Sequence, residues 1–215
     1  MKIPPWIRNH PSTLFLLLSN LATMAFALVE RWDLSVVMWI YWGQSVVIGF
    51  FNWRRILSLR QFSTENFTMN DQPVDPTPST RRQVAFFFLI HYGFFHLVYF
   101  VFLSAERGDL PRADIAGALI CVTLFAVNHR FSYRHHLERD LARKPNIGSV
   151  MMFPYARIVP MHLTILFGNL LGAQSARALL FFLGLKTLAD VIMHKIEHAD
   201  RPSPSSTPCG PDAAA

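Results

Sequence analysis

Charge is scarce in this 215-residue sequence, where Asp, Glu, Lys and Arg together make up 16%. A water-soluble domain carries about 25% and needs it to cover its surface. So few charges cannot cover a water-facing surface, which makes lipid the expected solvent. Cysteine is nearly absent: Cys121 and Cys209 stand alone, which excludes a disulfide framework and a Cys-based metal site. No stretch repeats another, so an inverted-repeat transporter has no support in the sequence. The alternating segments of about ten residues that build a membrane barrel are missing as well. Acidic residues are the scarcer sign, 14 against 20 basic, for a net charge of +6. No basic stretch is interleaved with aromatics as a base-stacking platform would be, so no nucleic-acid partner is expected.

Apolar residues fill the remainder, at 52% of the chain with 19 Phe. A run of about 20 crosses the ~30 Å hydrocarbon core as a helix, and backbone groups in lipid must bond internally. Six runs qualify, over about 13–29, 34–53, 84–103, 115–129, 150–171 and 178–198. The expected fold class is all-α, a polytopic membrane bundle of six transmembrane helices forming one domain over 1–198. Ala25-Phe26-Ala27 resembles a signal-peptidase site. However, the preceding run is long for a signal core, and Glu30-Arg31-Trp32-Asp33 reads as a tight hairpin into the second span, so the first helix is expected to be retained. The stretch 58–83, with Asn70-Asp71-Gln72-Pro73, reads as a flexible cytoplasmic linker. A second cytoplasmic loop, 130–149, includes a short surface helix, and the Pro- and Ser-rich tail 199–215 reads as disordered.

Basic residues set the orientation, because Lys and Arg flanking a span resist translocation. With the N-terminus inside, fourteen of the 20 basic residues fall on the cytoplasmic side. Arg31, Arg107, Arg112 and Arg177 fall outside, while Arg157 and Lys186 lie within spans. Both termini are therefore expected to be cytoplasmic in the inner membrane, with the lipid bilayer as partner and basic residues facing anionic headgroups.

Ionisable side chains inside lipid cost about 2.5–3.5 kcal/mol each on insertion scales, and those that remain are paired, hydrated or functional. Counting about 1.5 Å per residue from the cytoplasmic helix ends puts His91, Arg157 and Asp190 at one level, with His96, His162 and Lys186 nearer the midplane. The economical pairing is an Arg157–Asp190 salt bridge. Lys186, Asp190, His194 and His198 follow at fourfold spacing along one helix stripe. Such a stripe can ligate a divalent metal; the plainer reading is an internal Lys186–Asp190 pair with His194 and His198 facing headgroups. His194 to His198 also spells His-x-x-Glu-His, a zinc-peptidase pattern that here lacks a third ligand. Pro154 and Pro160 remove N–H donors and should bend the fifth span, leaving the carbonyls of Val150 and Ala156 without their usual partners. Tyr41, Ser45 and Asn52 form a stripe in the second span with Gln44 beside it, read as glue between helices.

The chain resembles a prokaryotic six-helix integral-membrane family of unknown function. The resemblance rests on Tyr41-Trp42-Gly43-Gln44 through Asn52, Phe88-Leu89-Ile90-His91-Tyr92-Gly93, Tyr155-Ala156-Arg157 with His162, and Lys186-Thr187-Leu188-Ala189-Asp190 with His194 and Glu197-His198. It implies the six-helix architecture and the importance of these polar positions, and no activity.

Two main readings of function follow. In the first, His91, Arg157, His162, Lys186 and Asp190 form a polar centre in the cytoplasmic half of the bilayer. That centre is either a proton relay or a divalent-metal site using His91, Asp190, His194 and His198 to activate water. In the second, the protein is a non-enzymatic membrane scaffold or assembly factor whose polar cluster only fixes helix packing. A haem held between His96 and His162 is a third candidate, with little in the spans to make room for it.

Overall fold

The computed structural model describes residues 21, 24–25, 28–29, 33–105, 112–141, 144–167, 169–172 and 175–199. Among the described residues are six helices: α1 (Leu34–Ser58), α2 (Pro78–Ala105), α3 (Arg112–Leu141), α4 (Ile147–Met152), α5 (Ile158–Phe167) and α6 (Ala176–Ala199). Of the first expected span, Leu21, Met24, Ala25, Leu28 and Val29 are helical; its remainder and the tail beyond residue 199 lie outside the described residues.

Short side chains start these helices by accepting from N–H groups that have no helical partner. Asp33 accepts from Ser35 N at 2.7 Å to open α1, Asn146 from Ser149 N to open α4, and Ser175 from Ala178 N to open α6. Thr77 accepts from Thr80 N, and Pro78 holds the first position of α2, where its missing N–H costs nothing.

On α1 and α2 burial follows one stripe each. On α1 the stripe is Leu34, Met38, Tyr41, Ser45, Gly49, Asn52 and Ile56; on α2 it is Val84, Phe88, Tyr92, His96, Tyr99 and Leu103. α1 packs against both α2 and α3, and α5 packs against α6. The polar members lie on the inside, whereas Phe86, Phe94, Leu97 and Val101 of α2 face out, Phe86 with 66% of its surface exposed. Polar inside and apolar outside is the reverse of a water-facing bundle, and suits an apolar surrounding.

Among the described residues, three helical segments are long and apolar enough to cross a membrane: Leu34–Ser58, Pro78–Ala105 and Ile147–Phe167. Of the five expected spans that fall within them, those at about 115–129 and 178–198 do not qualify on this measure. The expected fourth span and the surface helix after it are one continuous 30-residue helix, α3. Its second half carries Arg130, Arg134, Glu138 and Asp140. α6 carries Lys186 and Asp190 within its apolar run.

The fifth expected span is broken where the prolines fall: a 3-10 turn, Phe153–Arg157, separates α4 from α5. The stretch 58–83 is ordered, contrary to the expectation of a flexible linker. Thr68–Met69 (β1) pairs antiparallel with Gln72–Pro73 (β2) around Asn70 and Asp71, whose φ angles are 51° and 60°. Asn and Asp tolerate this left-handed region, and two such residues make the turn that matches strand twist. Leu59 and Phe62 are buried, and Ser63 bridges to Asn146, tying the loop to the start of α4.

Candidate functional site

Among the described residues, Trp42, Ser45 and Asn52 of α1 hydrogen-bond to neighbouring helices. Ser45 Oγ and Tyr92 Oη lie 2.8 Å apart, and Tyr92 donates to the Ser45 carbonyl at 3.0 Å, so the serine hydroxyl donates back to Tyr92. Trp42 Nε1 donates to the His96 carbonyl at 2.9 Å. Asn52 Nδ2 donates to the Val150 carbonyl at 3.1 Å. Val150 lies four residues before Pro154, which has no N–H to offer it, so Asn52 supplies from a different helix the donor that proline removes. A carbonyl left bare in an apolar interior costs about 1–3 kcal/mol.

The expected Arg157–Asp190 salt bridge does not form. Asp190 accepts from Lys186 Nζ at 2.8 Å, the i,i+4 pair of α6, which one helix turn brings together without any particular helix rotation. Arg157 ends the 3-10 turn, and its guanidinium lies over the Tyr41 ring, 4.5 Å from the centroid. Its one hydrogen bond among the described residues is to Gln44 Oε1 at 3.5 Å. The group that meets the guanidinium is therefore the face of Tyr41, not the carboxylate that the sequence pairs with it.

The histidines go to separate places. His91 is exposed on α2, stacked on Phe87, with Nδ1 2.9 Å from Tyr155 Oη. His96 is buried and donates from Nδ1 to the Tyr92 carbonyl at 2.9 Å, one turn back. His162 is exposed, with Nδ1 3.3 Å from Tyr99 Oη. His96 and His162 both lie against the Tyr99 ring, with ring centroids 6.1 and 6.2 Å from it. Among the described residues, no group of three or more His, Cys, Asp or Glu side chains is placed to hold a metal ion. The side chains of His194 and His198 lie outside the described residues.

One ion pair escapes the sequence reading. Arg55 near the end of α1 engages Asp140 of α3 with both carboxylate oxygens, Nη2 to Oδ1 at 3.0 Å, and the aspartate is buried. Asp140 sits in a stretch where charges dominate, so only its position on the α1-facing side of α3 marks it out.

These features define a helical bundle with membrane-span character and a polar seam between α1, α2 and the proline-broken segment. The chain belongs to the family described as "Family of unknown function (DUF6498)", which it matches over residues 4–207. No curated protein and no solved structure matches it.

Proposed function

We propose that this chain is a multi-pass protein of the cytoplasmic membrane, with six spans and both termini inside, acting as a non-enzymatic scaffold or assembly factor. In this reading its polar seam fixes how the helices pack. The observation that carries the proposal is the pairwise engagement of the seam: Ser45 with Tyr92, Trp42 with His96 and Asn52 with Val150. Each bond joins two helices, and none leaves its group turned toward a common centre. Bonds of this kind contribute about 0.6 kcal/mol each on average in membrane proteins, and more where they fill a carbonyl that proline has stripped. A divalent-metal or proton-handling centre has weaker support, since His91 is turned to Tyr155 and Asp190 is held by Lys186.

Two measurements test the proposal. A reporter active only outside the cytoplasm, fused after Arg60, Arg107, Lys144 or Arg201, should be active at Arg107 alone; activity at Arg60 or Arg201 contradicts the orientation. Elemental analysis of the purified chain should find less than one divalent ion per molecule. One bound ion, lost in Asp190→Asn, would replace the scaffold reading with the metal one.

A further inference from the structure

Packing accounts for the seam but not for the neighbourhood of Arg157. Its Nε is buried without a hydrogen-bond partner among the described residues, and so is the hydroxyl of Tyr41, whose ring lies beneath the guanidinium. Tyr41 is 2% exposed. Buried polar atoms without partners are rare in native proteins and call for an explanation. The carboxylate that would ordinarily neutralise a guanidinium in lipid is Asp190, and Lys186 holds it.

The groups left without a partner at this point can all donate. A guanidinium has five N–H bonds and no acceptor. Gln44 turns its oxygen to Arg157 and so keeps its amide nitrogen to donate, and the Tyr41 hydroxyl has a proton to give. A fork of parallel N–H bonds matches two oxygens of a carboxylate or phosphate. Gln44 and Arg157 are each half-buried, so the guanidinium is not sealed inside the bundle.

From this juxtaposition we infer that Arg157, Tyr41 and Gln44 form a binding site for an oxyanion, a ligand presenting a carboxylate or phosphate group. The guanidinium supplies charge and the fork, the 3-10 turn that contains Pro154 and ends at Arg157 fixes its position, and the Tyr41 hydroxyl caps a second oxygen. The site does not depend on the scaffold reading, which uses neither the Tyr41 hydroxyl nor Nε of Arg157.

The test is thermal unfolding of the full chain in a neutral detergent with three probes: oleate, phosphatidylglycerol and inorganic phosphate. At a hundredfold excess over the dissociation constant, at least one should raise Tm by about 5 °C. A rise with oleate names a membrane-borne carboxylate, with phosphatidylglycerol a headgroup, and with phosphate an aqueous anion. The same probe should leave Tm of Arg157→Gln unchanged and bind Tyr41→Phe, which keeps the ring, about tenfold more weakly. Where Arg157→Gln yields no folded protein, Tyr41→Phe decides alone, and undiminished affinity overturns the site. No rise in the wild type with any probe, which would mean that water or an acid of the chain itself meets the guanidinium, overturns it too.

Discussion

A Cβ placed on Gly49 would come within 2.4 Å of Cε1 of Tyr92, so the tyrosine ring lies directly on the backbone of α1. That close approach lets the Tyr92 hydroxyl reach the Ser45 carbonyl one turn earlier. Gly49→Ala must push the ring away, straining the core and loosening both Ser45–Tyr92 bonds. A loss of about 1–3 kcal/mol is expected, read as a lower unfolding midpoint in mixed micelles. Gly93→Ala is the control: nothing lies within 4 Å of its Cβ position, so it should be neutral or slightly stabilising through helix propensity. Equal effects of the two substitutions would contradict the packing described.

The Arg55–Asp140 pair anchors the charged half of α3 to the end of α1. Removing one partner leaves the other charge buried. Arg55→Met should therefore cost about 3 kcal/mol, the lower end for buried pairs, because the arginine side chain keeps 18% of its exposure. Replacing both residues, Arg55→Met with Asp140→Leu, should recover much of that loss. A double variant as unstable as the sum of the two singles would show that the residues act independently.

His91 is predicted to be dispensable for stability. It is exposed and makes one side-chain hydrogen bond, to Tyr155. His91→Phe should change stability by less than about 1 kcal/mol, within the range of a single interhelical bond in a membrane. A loss as large as that of Gly49→Ala would mean that His91 sits in the core of the assembled protein.

Much of this arrangement is written in local spacing. The stripe of Tyr41, Ser45 and Asn52 can be read from helical periodicity, and all three are buried. The lost partner of Val150 follows from Pro154 alone. So does the Lys186–Asp190 pair from fourfold spacing, although the longer-range Arg157–Asp190 pairing looks equally good on paper. Depth along a helix is countable from sequence, but rotation about its axis is not. The 3-10 turn changes the angular step between residues just before Arg157, which carries the guanidinium over Tyr41. The hairpin at Asn70-Asp71 reads from sequence only as a flexible linker, although two adjacent residues that tolerate positive φ are turn chemistry; the docking of Ser63 and Glu65 on Asn146 depends on contacts across some 80 positions, beyond what local pattern records. The same holds for Asp140, whose partner lies on another helix.

The most direct test of the seam is a double-mutant cycle between Asn52 and Pro154. If Asn52 serves the carbonyl that Pro154 strips, Asn52→Leu should cost about 1–3 kcal/mol in the wild-type background. In Pro154→Ala the chain regains an N–H for Val150, and the same substitution should cost less than half as much, a coupling well above the usual additivity error. Equal costs of Asn52→Leu in the two backgrounds would contradict the account.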